Sequence, residues 1–357
     1  MSRPKVALCL AGGGITGAMW EVGALAALGD VFGLEEDAFD LIVGVSTGAT
    51  VAAAVAGGGS VTRLYRAILD PADDYFPLRR HHLLRMDFDE WRRTVVSAML
   101  ALREGTGALV SRSQKGPPRP GDLWEQLDRF YDSLPAGLFS LDGYERFLES
   151  FFLRRDIPTS FTAMPRALRV VAYDLDNGER VVFGGPGYED VPVSLACAAS
   201  MAQPLFFSPV RVRRRRFIDG SVGGTGHLDV ALAENPDLVV VVNPLVPFHV
   251  EGGAVPTGHG DRGSLRDKGL MWINDQAARI GSAARLRDAL GRAGNKRDHV
   301  LVLSPTPQDT SLFLKNPASF AHRRTILEHA YHSTRESLLT FARERPEVAA
   351  FAGWSAR

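Results

Sequence analysis

At 357 residues, 45% hydrophobic and 23% charged, the chain has the size for one large α/β domain or two ordinary ones and the makeup of a globular protein. Its 41 basic and 41 acidic residues cancel, so there is no global electrostatic case for nucleic-acid binding, and any attraction to charge must be local. Two cysteines, Cys9 and Cys197, are too few for a disulfide scaffold or a cysteine-built zinc site, and both are expected to be reduced core residues.

Arg3 and Lys5 precede a short apolar run, but glycines interrupt it where a secretory signal would continue. No uninterrupted apolar run approaches the ~18 residues of a membrane-spanning helix. A cytoplasmic protein without a transmembrane segment is expected, able to lie peripherally on a membrane surface.

Residues 5–11 read as a buried strand and 16–29 as a helix with apolar residues at helical spacing. Asp40 to Val45 reads as a second buried strand. Thr47 to Ala56 reads as a helix of small residues, suited to lying close against a sheet. Residues 60–150 change character and become helical, charged and irregular, with a Pro/Gly loop at 116–121. They are expected to form a helical insertion or lid, or else a helical face packing the sheet. Strand signals return at 168–173 and 180–183, joined through Asn177-Gly178, a step that favours a tight hairpin turn.

Pro192 to Ala202 reads as another small-residue helix. Phe206 to Val212 and Arg216 to Ile218 read as short strands around an arginine run. Residues 238–242 and 299–303 are continuous apolar runs of the kind found in central parallel strands. The Gly-rich stretch 252–264 is expected to be a mobile surface loop, and 266–292 and 317–345 to be helices. This alternation predicts an α/β fold with a mostly parallel sheet flanked by helices. The domain is expected over residues 1–310, with a C-terminal helical segment, 311–357, packing on it.

Two strand–turn–helix units stand in tandem at the start. The second carries Gly44-Val45-Ser46-Thr47-Gly48, the pattern of a nucleophile on a sharp turn, in which Gly44 and Gly48 let the backbone bend and the helix approach. The first carries Gly12, Gly13, Gly14 and Gly17, open to two readings. One is a dinucleotide-binding fingerprint, which wants an acidic residue at the end of the second strand. That position holds Val45-Ser46 instead. The other reading is an oxyanion hole of consecutive glycine N–H groups at a helix N-terminus. The two motifs together favour acyl transfer.

None of the nine histidines stands in a persuasive catalytic context. Asp219, at the end of a short strand and followed by Gly220, is better placed as a general base, although an Asp-Gly step is also a plain turn.

Four segments, in order, carry a resemblance: LAGGGITG, GVSTGA, AASMAQPLFFSPV and FIDGS, joined by the hairpin VVAYDLDNGERVVF. Over roughly residues 5–245 the chain resembles the patatin-like phospholipases, serine acyl hydrolases with a Ser–Asp dyad. The resemblance implies a three-layer α/β/α fold, Ser46 as nucleophile and Asp219 as general base. It implies oxyanion donors from the Gly12–Gly14 backbone with Gly17 shaping the turn, a lipid or membrane-surface ester as substrate, and no cofactor. Two positions depart from the family pattern: Thr16 stands where Arg or Lys is usual, and Ser221 where Gly or Ala is usual. A non-catalytic lipid-binding scaffold and, further off, a dinucleotide-binding oxidoreductase are the alternatives.

The run Arg211-Val212-Arg213-Arg214-Arg215-Arg216 reads as a solvated hairpin tip, or as a patch for anionic lipid. It lacks the aromatic interleaving of a nucleic-acid surface. Residues 76–91 read as an interfacial face or as helical core packing.

Overall fold

The computed structural model describes residues 3–88, 134–250, 255–257, 259–314 and 320–347, with scattered positions between 91 and 132. The chain opens with β1 (Val6–Leu10), α1 (Gly14–Phe32), β2 (Leu41–Val45) and α2 (Thr47–Ala56). Next come α3 (Val61–Leu69), the single turn α4 (Arg80–Leu83), β3 (Arg85–Met86), β4 (Gly137–Ser140) and α5 (Asp142–Arg154). β5 (Ala167–Asp174) and β6 (Arg180–Phe183) form a hairpin, followed by α6 (Val193–Ser200). β7 (Leu205–Phe207), β8 (Val210–Val212) and β9 (Arg215–Asp219) lead into α7 (Leu228–Ala233) and β10 (Leu238–Val242). β11 (Val255–Thr257), β12 (Gly260–Arg262), α8 (Leu270–Arg292), β13 (Val300–Leu303) and α9 (Phe320–Glu344) complete the described chain.

The main sheet runs β13-β10-β1-β2-β5-β9-β8, with β6 also on β5. From β13 to β5 every pairing is parallel, whereas β6, β9 and β8 pair antiparallel. The register decides how β5 is shared. Val170 pairs with both Gly44 and Phe183, and Ala172 with both Val181 and Asp219. A strand residue has only two edges, so β2 and β9 lie end to end along one edge of β5 and β6 takes the other.

β1 shows why the sheet is buried on both faces. Leu8 and Leu10 join the cluster formed with α1, α2, α3, α5, α6 and α9, while Ala7 and Cys9 join the cluster with α7 and α8. Successive side chains of a strand point to opposite faces, so a strand apolar throughout needs helices on both sides. The result is the expected three-layer α/β/α arrangement. Both cysteines are buried and free.

α1 packs closely on α9: a Cβ at Gly23 would lie 2.6 Å from the Leu327 carbonyl oxygen. Among the described residues, α1 is the one helix long and apolar enough to cross a membrane, with 19 residues and mean hydropathy 1.3. Most of it is buried inside the fold, as a core helix is.

Several expectations change. Phe206 to Val212 is not one strand: Pro209, which has no N–H for a ladder, divides it. Leu205–Phe207 then pairs with β4 in a separate three-stranded sheet, and Val210–Val212 joins the main one. Within 252–264 the described residues form a β11–β12 hairpin rather than a loose loop, anchored by the buried Val255 and by Lys268 Nζ, which donates to the Pro256 carbonyl. The helix expected over 266–292 starts at Leu270, after Gly269 with φ 89°. In 60–150, α3 and α5 bury Leu64, Ile68, Phe147 and Phe151 in the main core. Phe76 packs edge-on against Phe147 and Phe151, whereas Leu84, Met86 and Phe88 are exposed. The 116–121 loop lies outside the described residues. The arginine run turns at Arg213 (φ 57°). Arg213 pairs with Asp190 and Arg215 with Asp174, as suits a hairpin tip.

Candidate active site

Ser46 occupies the sharp turn between β2 and α2, with φ 55° and ψ −134°. A non-glycine residue there carries strain of about 1–3 kcal/mol, which persists only where the surroundings hold it. Three contacts do so. The Ser46 N–H donates to Ser200 Oγ at 2.9 Å, and the Ser200 hydroxyl donates to the Val171 carbonyl at 2.6 Å. This pins the turn to β5. A Cβ at Gly44 would lie 2.6 Å from Ala49 Cα, so only glycine lets α2 fold back on its strand. A Cβ at Gly12 would lie 2.8 Å from Ser46 Cβ, so the two turns touch.

Asp219 is the last residue of β9 and is 1% exposed. Its Oδ2 accepts from Ser46 Oγ at 2.7 Å and its Oδ1 from the Ser221 N–H at 2.8 Å. Its own N–H is held by the Ala202 carbonyl at 3.0 Å. Burial pushes the carboxyl up to about 6, against the Ser221 N–H and the Ser46 hydroxyl, which pull it down. It therefore remains a carboxylate at neutral pH, but a more basic one than usual.

His227 stands behind this turn. Arg180 Nη1 lies 3.3 Å from His227 Nδ1, and His227 Nε2 lies 3.0 Å from the Gly220 carbonyl. A guanidinium only donates, so Nδ1 accepts and Nε2–H donates to Gly220. Burial takes the ring down to about 4, hence neutral. The sequence alone singles out neither Ser200 nor His227. Ser200 was visible only as part of the AASMAQP segment, and His227 gave no local signal.

Gly12, Gly13 and Gly14 have φ of 78°, 113° and 69°, a run that side-chain-bearing residues rarely adopt. Gly17 closes the first helical turn by donating to Gly13 O at 3.1 Å, and the Thr47 hydroxyl donates to Gly14 O at 3.0 Å. The expectation that Gly12 is an oxyanion donor does not fit: its N–H already donates to Glu21 Oε1 at 2.7 Å. Gly13 and Gly14 line the cavity beside Ser46. Thr16 is buried at the same wall, and Gly48 and Gly220 pack where a Cβ would meet backbone.

Ser46 and Asp219 open onto a cavity of about 800 Å³. Ile15, Ala18, Met19 and Val22 line it from α1, and Thr47, Thr50, Val51 and Ala54 from α2. Each set follows the i, i+3, i+4, i+7 spacing of one helix face, so the two stripes run side by side for roughly 10 Å. Leu64 and Ile68 of α3 also border it, and Leu84, Phe206, Phe207 and Trp272 stand with Arg79 and Lys268 elsewhere on its wall. Among the described residues, no group of three or more His, Cys, Asp or Glu is placed to hold a metal ion.

The patatin-like phospholipase family model matches residues 8–232, more than half of the chain. The chain belongs to the patatin-like phospholipase family. No curated protein sequence matches it. Among solved structures, VipD from Legionella pneumophila is 15% identical, with 95% of this chain and 67% of that one covered at a TM-score of 0.38. ExoU from Pseudomonas aeruginosa, in complex with SpcU, is 16% identical, with 98% and 60% covered at 0.34. Human GIVD cytosolic phospholipase A2, in complex with methyl gamma-linolenyl fluorophosphonate, is 11% identical, with 97% and 59% covered at 0.35. This patatin-like chain spans between 59% and 67% of the length of these three.

Proposed function

We propose that the protein is a lipid acyl hydrolase that cleaves carboxylic esters through Ser46 and Asp219. The observation that carries this reading is the 2.7 Å hydrogen bond between Ser46 Oγ and Asp219 Oδ2, on the wall of a largely apolar cavity. Membership of a phospholipase family supports a lipid ester as substrate.

In this reading Asp219 takes the hydroxyl proton as Ser46 Oγ attacks the ester carbonyl. The carbonyl oxygen becomes an oxyanion facing the Gly13 and Gly14 N–H groups at the N-terminus of α1, with Gly17 closing the turn. The tetrahedral intermediate collapses, and the leaving alkoxide takes the proton from Asp219. Water then gives its proton to Asp219 and attacks the acyl-enzyme, releasing the acid and restoring Ser46. Serine, aspartate, ester and water supply every proton and electron pair, so no cofactor is required.

The acyl chain lies between the α1 and α2 stripes, with Leu64 and Ile68 beside it. Arg79 and Lys268 face the polar end of the lipid, in place of the cation missing at Thr16. The catalytic unit spans residues 1–310, carries its helical insertion at about 60–150 and is completed by the C-terminal segment 311–357, to which α9 (Phe320–Glu344) belongs. It works as a cytoplasmic protein, peripheral at a lipid surface.

The test is hydrolysis of p-nitrophenyl butyrate and of phosphatidylcholine vesicles by wild type, Ser46→Ala and Asp219→Asn, with fluorophosphonate labelling alongside. Loss of both activities in both variants and labelling at Ser46 are expected. Activity retained in Ser46→Ala overturns the assignment. An inert, unlabelled wild type that still binds vesicles favours a lipid-binding scaffold.

A further inference from the structure

Glu21 lies about two turns into α1, among apolar residues, and is 0% exposed. Acyl transfer as described above makes no use of it. A carboxyl so buried is expensive unless it is paired, and its keeping calls for a reason. Its Oε1 accepts from the Gly12 N–H at 2.7 Å. A Cβ placed on Gly48 would lie 2.8 Å from that same Oε1 and 2.8 Å from Gly12 N. The carboxyl, the Gly12 peptide and the first turn of α2 thus meet at one point, with room there only for glycine. Glu21 Oε2 is buried and has no hydrogen-bond partner.

We propose that Glu21 is a positioning residue for the oxyanion site, fixing the Gly12 peptide against the first turn of α2 and thereby setting the direction of the Gly13 and Gly14 N–H groups. This rests on the reading of those two glycines as oxyanion donors. The logic is geometric. Each of the three glycines is free to rotate, and nothing in the turn itself selects one arrangement. A hydrogen bond from the first glycine to a side chain fixed inside a helix selects one. The Thr47 hydroxyl on Gly14 O secures the other end of the turn. The turn is thereby tied to the two helices whose N-termini frame Ser46.

The chemistry calls for the neutral acid. Burial pushes the carboxyl up to about 8, and the Gly12 N–H is the opposing influence; no charged side chain of β1, α2 or α9 offsets it. An ionised Glu21 would leave Oε2 as an unpaired buried charge and set a negative field beside the place where the oxyanion develops. Wild-type activity is therefore expected to fall as pH rises through about 8.

The test compares full-length wild type, Glu21→Gln and Glu21→Leu. The readouts are kcat and KM for p-nitrophenyl butyrate across pH 5–10, and amide hydrogen exchange over residues 11–17. Glu21→Gln keeps an acceptor for Gly12 and cannot ionise. It is expected to rescue kcat at pH 7 and to lack the alkaline fall. Glu21→Leu is expected to lower kcat about a hundredfold, the scale of a lost oxyanion donor. Its KM should hold, and exchange at Gly12 to Gly14 should quicken. The proposal is overturned if Glu21→Gln shows the wild-type alkaline fall, or if Glu21→Leu exchanges like wild type. The exchange readout needs no turnover, so it decides even if the hydrolase reading fails. If Glu21→Leu does not fold, the Glu21→Gln pH profile decides.

Discussion

Val45 and Asp219 stand opposite consecutive residues of one strand, Val171 and Ala172, along the same edge of β5. β2 arrives at this point from one direction and β9 from the other, and their ends meet. The residue that follows β2 is Ser46, so the Ser46–Asp219 hydrogen bond forms at the seam where the sheet changes from parallel to antiparallel pairing. Neither partner has to be carried there by a long loop.

This junction has little slack at Gly220. A Cβ there would lie 2.2 Å from the Val171 carbonyl oxygen. Gly220→Ala is expected to push the end of β9 away from β5, lowering Tm by several degrees and kcat for a soluble ester at least tenfold. Differential scanning fluorimetry and steady-state kinetics check it, and an alanine variant with wild-type kcat would refute the tight-junction account.

The Asp219 carboxyl is held up at about 6 by burial, so below that pH it is mainly protonated. A protonated carboxyl cannot take the serine proton. The acid limb of kcat/KM should therefore rise with pH through about 6 and flatten above it, rather than near 4 as for an exposed aspartate. A profile of p-nitrophenyl butyrate hydrolysis from pH 4 to 8 measures it.

Ser200 links the amide of Ser46 to the carbonyl of Val171. Ser200→Ala leaves that buried amide without its acceptor, a loss of about 1–3 kcal/mol. The expected result is a lower urea midpoint together with a fall in kcat, because the strained turn relaxes. Reduced stability with unchanged kcat would restrict Ser200 to a structural part.

Ala54 lies seven residues, roughly 10 Å, along α2 from Thr47 in the cavity-lining stripe. Ala54→Phe is expected to block the inner end of the cavity. The kcat/KM for a long-chain p-nitrophenyl ester should fall at least tenfold, with the butyrate ester little affected. An equal fall for both esters would mean that the acyl chain lies elsewhere.

Much of the site was legible because its motifs are local. The bounds of α2 match those read from the sequence, Thr47 to Ala56, since a serine turn and a run of small residues fix both its start and its face. The pairing of Ser46 with Asp219 across the chain was implied by the family resemblance that the ordered motifs carry, and the two side chains are hydrogen-bonded. What escaped was tertiary. Glu21 carries no motif in the sequence, and only the fold brings it to Gly12. His227 reads as a loop histidine until Gly220 is placed against it. The hairpin at 255–262 has no periodicity in so short a stretch, and it is ordered by burial of Val255 and by Lys268. The split at Pro209 was open to reading, because proline marks the break directly.

Ser46 and Asp219 are 173 positions apart. At synthesis rates of about 5–20 residues per second, roughly 9–35 s separate the making of the two residues. Throughout that interval the growing chain holds Ser46 without the carboxylate that its hydroxyl binds in the folded protein, at a turn whose seam with β9 does not yet exist. The pair can form only once β9 has been made and has docked on β5. The order of synthesis therefore acts as a timer: the serine leaves the ribosome without its partner, and the pair is assembled only when most of the sheet is available to enclose it.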